Sequence, residues 1–308
     1  LILMTHGVAL LLGVLCAGLG GELFVRGAVG LGHWARIPPG IIGATVAAFA
    51  TSSPELSVAV QSALAGTPQI ALGDALGSNV VNLCLILALP LLIAGLQFPR
   101  QDLQRDQSVA LVAPALTALL LIDGELSRGD GCLLLLLFGV WLWATVRATQ
   151  RQRSSAEEVL GAHRHGLILA SCLLGLALLV AAGFFIVASA EGLARSFGVP
   201  DYLVGATVVA LGTSMPELAT TVIAKLRGHD EVGLATILGS NIFNNLFIVS
   251  IAAILHPIPC DGKAAAVALT IAVLGVLVAA PSRSGWIGRW QGGGLLLLYA
   301  IYLAFTLT

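Results

Sequence analysis

Two carboxylates stand in matching surroundings, Glu55 in "ATSSPEL" (50–56) and Glu217 in "GTSMPEL" (212–218). Each directly follows a proline and lies just beyond a pair of hydroxyls, Thr51 and Ser52 in the first stretch and Thr213 and Ser214 in the second. Proline has no amide hydrogen, so in a helix the carbonyls of Ala50 and Gly212 lose their donors, and those of Thr51 and Thr213 are disturbed with them. In hydrocarbon such carbonyls are tolerated only where they line a polar cavity or find another partner. Spacings of three and four residues put Ser52, Thr51 and Glu55 on one helical face. Hydroxyls, freed carbonyls and a carboxylate form an all-oxygen donor set, which suits a hard cation such as sodium or calcium; calcium takes 6–8 oxygens. Two carboxylates balance one divalent ion, and an ion stripped of water needs that balance.

A second motif also appears twice, "LGSNVVN" (76–82) and "LGSNIFN" (238–244). Ser78 and Asn82, like Ser240 and Asn244, are four apart and present hydroxyl and amide oxygens on one face. Small residues beside them (Gly73, Ala75, Gly77; Gly233, Ala235, Gly239) allow close helix approach. A Ser or Thr taken alone is equally well explained by a bond to the preceding helical turn. A carboxylate inside a membrane is a different matter, since its cost of several kcal/mol marks it as functional.

The elements carrying these residues are membrane helices. Of 308 residues, 57% are apolar and 10% charged, against about 25% charged in a soluble domain, and the mean hydropathy is +0.97. With about 20 apolar residues needed per crossing, spans are expected near 8–34, 41–64, 70–96, 105–122, 131–147, 167–194, 203–226, 232–255, 264–280 and 290–308. The first and sixth are long enough to tilt. The first runs into Glu22 and Arg26 without a small-residue cleavage site, so no cleavable signal is expected. Eleven Lys/Arg fall in loops on one face; the opposite loops carry Arg128, Arg195 and Lys263. This bias places both termini on the non-cytoplasmic side of an integral, bacterial inner-membrane-type protein.

The motif pairs share one offset, 162 residues, with 10 of 14 positions identical between 43–56 and 205–218 and 5 of 7 in the second motif. Pro38 and Gly66 map onto Pro200 and Gly228 at the same offset. The chain therefore divides into a five-helix repeat (1–147), a cytoplasmic connector (148–166) and a second five-helix repeat (167–308). Because five is odd, the second copy is inverted. The expected fold is an all-α membrane protein of ten transmembrane helices, with broken helices at a central ion site. Inverted repeats with interrupted helices are the mark of a secondary transporter.

Other polar residues receive less weight. Asp74 lies four residues before Ser78 and either extends that polar face or sits at a helix start that favours negative charge; its repeat counterpart is Thr236. Glu22, Arg26 and Glu191 read as snorkelling or paired. Five widely spaced cysteines (Cys16, Cys84, Cys132, Cys172, Cys260) contain no CxxC pair and read as small hydrophobes. The histidines show no metal-ligand spacing.

At the two doubled motifs the chain resembles the calcium/cation antiporter superfamily, the group that contains sodium/calcium exchangers, in its prokaryotic form. The resemblance covers essentially the whole chain. It implies a calcium site built by Glu55 and Glu217 with the carbonyls of Thr51 and Thr213. It also implies flanking sodium sites using Ser52, Ser78, Asn82, Ser214, Ser240 and Asn244, with backbone oxygens of Ala48 and Ala210. Two positions depart from the pattern. Ala50 replaces a usual glycine, and Asn244 stands where many sodium/calcium exchangers carry Asp; an amide brings oxygen without charge or a titratable proton. Potassium co-transport is thereby disfavoured, and sodium and proton coupling both stay open.

The expected activity is exchange by alternating access, with spans one and six sliding across spans two, three, seven and eight, and calcium export as its direction. The partners are calcium and sodium ions and the lipid bilayer; no cofactor, nucleic acid or obligatory protein partner is expected. A passive channel with the same carboxylates as a filter is the first rival, and two inverted repeats in one chain fit a rocking transporter better. An intramembrane hydrolase is the second, opposed by the lack of an aspartate pair, HExxH or GxSxG.

Overall fold

The computed structural model describes residues 12–13, 15–16, 19–27, 30, 39–98, 100–153, 165–196, 201–260 and 262–306. The start of the first expected span, Pro38, Pro200, connector residues 154–164 and the side chains of Glu191 and Arg195 lie outside them. What is described is helical apart from two short strand pairs.

After a helix over 19–27 (α1), the first half continues through α2 (Pro39–Ile42), a π-helical turn π1 (Gly43–Ala47), α3 (Ala48–Thr51) and α4 (Ser53–Leu64). Next come α5 (Pro68–Val80), π2 (Val81–Ile86), α6 (Ala88–Ala94), β1 (Leu96–Gln97), α7 (Arg100–Leu120), β2 (Glu125–Leu126) and α8 (Arg128–Arg153). The second half opens with the long α9 (His165–Ser196) and repeats the order: α10 (Asp201–Val204), π3 (Gly205–Val209), α11 (Ala210–Thr213) and α12 (Met215–Leu226). It ends with α13 (Asp230–Phe243), π4 (Asn244–Ile248), α14 (Val249–Leu255), β3 (Ile258–Pro259), α15 (Gly262–Val278), β4 (Trp286–Ile287) and α16 (Arg289–Thr306). The strands pair across the halves, β1 with β4 and β2 with β3, both antiparallel.

Local chemistry sets the breaks. Pro54 and Pro216 enter the first turns of α4 and α12, where a missing amide costs nothing. Two positions before them, Ser52 and Ser214 leave helical geometry with ψ near 12° and 5°. Gly66 and Gly228 end α4 and α12 at φ 79° and 76°, a left-handed conformation that terminates helices at low cost only for glycine. The equivalent bonds Thr67 N–H to Ser62 O and His229 N–H to Ala224 O, both 2.9 Å, close the two turns.

The core lies between the doubled elements. The helices Pro68–Ala94 and Asp230–Leu255 are buried over 78% and 83% of their apolar windows, against 28% for Arg128–Ala148, so the GSN helices are central and α8 peripheral. Glycine permits their tightest crossings. A Cβ on Gly77 would meet the Ala206 carbonyl at 2.5 Å, and one on the equivalent Gly239 would strike the Ala44 carbonyl. Tyr302 of α16 donates to that Ala206 carbonyl at 2.7 Å.

Length and hydropathy single out three helices among the described residues as able to cross a membrane, Pro68–Ala94, Arg128–Ala148 and Asp230–Leu255. The pair Gly205–Thr213 and Met215–Leu226, bent by 47°, makes a fourth. Fewer helices pass than the ten spans expected, for local reasons. The second and seventh expected spans are interrupted by their prolines, and α7 starts in the polar run "RQDLQRDQ". The ninth, α15, has only 17 residues.

Candidate cation-binding site

The two breaks and the two GSN helices bring their polar side chains into one buried cluster. Thr51, Ser52, Glu55, Ser78, Asn82, Thr213, Ser214, Glu217, Ser240 and Asn244 are each 0% exposed. Most contacts run between the halves. Ser52 Oγ donates to Glu217 Oε1 at 3.2 Å, and Ser240 Oγ donates to the same oxygen at 3.1 Å. Thr51 and Ser240 hydroxyls lie 3.4 Å apart, and their repeat equivalents Thr213 and Ser78 lie 3.3 Å apart. Glu55 and Glu217, far apart in sequence, are near enough for their charges to interact.

The backbone oxygens at the breaks have divided fates. N–H groups at the break reach the carbonyls of Ala48 and Ala50, and in the second half those of Ala210 and Gly212. The Ala50 and Gly212 carbonyls, expected to be freed by proline, are therefore recaptured, because the non-helical serine tightens the turn. The Ala210 carbonyl also accepts from Ser78 Oγ at 3.4 Å and Thr213 Oγ1 at 3.3 Å, and the Ala48 carbonyl from Thr51 Oγ1 at 3.4 Å. Hydroxyl bonding to the preceding turn is thus real for both threonines, which reach Ala47 O and Val209 O at 3.0 and 3.1 Å. It coexists with the contacts across the halves.

Four amides form a second layer. Asn82 Nδ2 donates to Asn241 Oδ1 at 3.1 Å, and Asn244 Nδ2 donates to Asn79 Oδ1 at 3.2 Å. These two bonds are equivalent under the repeat. Both leave the Oδ1 of Asn82 and of Asn244 without a partner. Asn79 and Asn241 therefore aim two carbonyl-type oxygens, a role invisible in the sequence because each reads only as the last residue of "GSN".

Several buried oxygens make no hydrogen bond of normal geometry among the described residues: Oε1 and Oε2 of Glu55, Oε2 of Glu217 and Oγ of Ser214, besides the two amide oxygens. Such groups carry the full desolvation penalty unless something else satisfies them. All are oxygen donors gathered near two carboxylates, which is the chemistry of a hard-cation site. No set of three or more His, Cys, Asp or Glu side chains converges into a metal cluster among the described residues, so any cation here draws heavily on hydroxyl, amide and backbone oxygens.

Asp74 departs from the sequence reading. It is 0% exposed and lies in the body of α5, whose first turn holds no acid, so the helix-start explanation fails. Thr213 Oγ1 donates to its Oδ1 at 3.0 Å and Ser78 Oγ at 3.5 Å, and its charge is felt at Glu55. Away from the site, Glu22 pairs with Arg26 and with Arg227, the paired alternative of the two expected.

Comparison with known proteins gives one consistent result. The model of the sodium/calcium exchanger protein family matches residues 5–147 and 167–308. Inner membrane protein YrbG of Escherichia coli is 36% identical over 230 residues, 72% of this chain and 71% of the relative. The sodium/calcium exchanger MaX1 of Methanosarcina acetivorans is 25% identical over 341 aligned positions, with 96% of each chain covered. A solved structure of the sodium-calcium exchanger NCX_Mj, soaked with 10 mM Na+ and 10 mM Sr2+, superimposes with a TM-score of 0.83 at 28% identity, covering 98% of both chains.

Proposed function

The chain belongs to the sodium/calcium exchanger family, and from that premise we propose that it exchanges calcium for sodium across the membrane by alternating access. It is a membrane transporter rather than an enzyme. The observation that carries the reading is the bare carboxylate of Glu55, fully buried and within electrostatic reach of Glu217. Two facing carboxylates in low dielectric repel unless a cation lies between them.

In this reading calcium is held by Glu55 and Glu217 with the carbonyls of Thr51 and Thr213. Sodium ions use the flanking oxygens of Ser52, Ser78, Asn82, Ser214, Ser240 and Asn244, with the backbone oxygens of Ala48 and Ala210. The repeated element order and the reciprocal β1–β4 and β2–β3 pairings support two inverted five-helix repeats, residues 1–147 and 167–308, joined by a cytoplasmic connector. Both termini then face away from the cytoplasm. The first and sixth spans slide over the core of α3–α5 and α11–α13, opening the site to one side at a time. A bare anionic site resists crossing the membrane, so calcium moving one way requires sodium on the return stroke, and an inward sodium gradient drives calcium out.

Radiolabelled calcium flux in vesicles, compared under imposed sodium, potassium and pH gradients, tests the proposal. Calcium movement should follow the sodium gradient. Flux that follows only the pH gradient would replace sodium by protons as the coupling ion, and flux without any trans cation would indicate a channel.

A further inference from the structure

The two halves place their hydroxyls on different carboxylates. In one cluster Ser240 and Ser52 donate to Glu217 Oε1. Repeat symmetry would have Ser78 and Ser214 donate to Glu55. Instead Ser78 and Thr213 turn to Asp74 Oδ1, while Ser214 Oγ and both oxygens of Glu55 stay without partners. The difference traces to one residue. The counterpart of Asp74 is Thr236, whose hydroxyl donates to its own helix at Val232 O, 2.7 Å away, and offers the site neither charge nor contact through that bond.

We propose that Asp74 is a third anionic residue of the cation site, serving the position built by Ser78, Thr213 and the Ala210 carbonyl and making it a tighter sodium position than its counterpart at Ser240, Thr51 and Ser52. Two arguments support this. A negative charge in a buried cluster attracts a cation far more strongly than neutral hydroxyls do, and among the described residues one of the two clusters has a carboxylate beyond the Glu55/Glu217 pair. Asp74 also takes up the Ser78 hydroxyl, the counterpart of the Ser240 hydroxyl that Glu217 accepts. Asp74 does not converge with Glu55 and Glu217 into a three-carboxylate cluster among the described residues; its contacts are with Ser78 and Thr213, at the flanking position.

This inference rests on the exchanger reading, and the experiment separates the two. In sodium-gradient vesicles, wild-type protein must first show sodium-dependent calcium flux; its absence would overturn the exchanger reading itself. Given that flux, Asp74→Asn should raise the half-saturating sodium concentration about tenfold, the factor that 1.4 kcal/mol corresponds to, and Asp74→Glu should restore most of the loss. Asp74→Asn should keep the wild-type elution profile in size-exclusion chromatography, which shows that the variant is folded. Should Asp74→Asn not fold, the double variant Asp74→Thr with Thr236→Asp moves the charge to the other cluster and should retain sodium-dependent flux. Unchanged sodium dependence in Asp74→Asn, or equal loss in Asp74→Asn and Asp74→Glu, would overturn the proposal, as would loss of sodium-dependent flux in the double variant.

Discussion

Ser52, in the first break, donates its hydroxyl to Oε1 of Glu217, in the second, at 3.2 Å, while the repeat-equivalent Ser214 hydroxyl reaches no partner. One half thus holds the other's carboxylate in place without a reciprocal bond. Hydrogen bonds to charged groups contribute about 1.5–3 kcal/mol. Ser52→Ala should therefore lower the thermal unfolding temperature of detergent-solubilised, ion-free protein, and Ser214→Ala should leave it nearly unchanged. Equal losses would show that the asymmetry is not energetic.

The glycine crossings hold the break helices against the GSN helices. A methyl on Gly239 would strike the Ala44 carbonyl, and one on Gly77 the Ala206 carbonyl. Backbone cannot yield as a flexible side chain can, and overpacking of this kind costs about 1–3 kcal/mol or more. Gly239→Ala and Gly77→Ala should each reduce folded yield and midpoint temperature. Gly139→Ala, where an added Cβ meets nothing within 4 Å, should not.

Asn241 accepts from Asn82 and donates to the Asn79 carbonyl at 3.1 Å. Asn241→Ala removes the group that aims the Asn82 oxygen. Under the proposed mechanism it should raise the half-saturating sodium concentration several-fold with a smaller change in maximal rate, read from flux at varied sodium. A change in maximal rate alone would mean that the amide layer serves movement rather than binding.

Arg227, following α12, reaches Glu22 of α1, but their side chains are 49% and 28% exposed. Exposed pairs contribute about 0–1 kcal/mol. If α1 slides against α12 during transport, Arg227→Gln should change the maximal exchange rate by no more than about fivefold, with the half-saturating calcium unchanged.

The pattern of what was readable in the sequence has a physical basis. Glu55, Glu217 and their hydroxyls stood out because proline breaks and acids in apolar runs are costly, and because each occurs twice at one offset. Asp74 escaped for the converse reason: an unrepeated acid lost weight under a symmetry argument, although the broken symmetry is what distinguishes the clusters. The roles of Asn79 and Asn241 depend on contacts made only when the halves meet. The π turns at Gly43–Ala47 and Gly205–Val209 leave no trace in a hydrophobic pattern read at the α-helical period. The recaptured Ala50 carbonyl shows how a proline rule, correct about the missing donor, says nothing about what the next turn supplies.

The central claim is that the two acids jointly hold the transported cation, and sodium-gradient-driven calcium flux by Glu55→Gln and Glu217→Gln vesicles tests it most directly. Amides keep the shape and remove one charge each, so both variants should lose calcium exchange while retaining the wild-type elution profile. Undiminished flux in either variant would contradict the account.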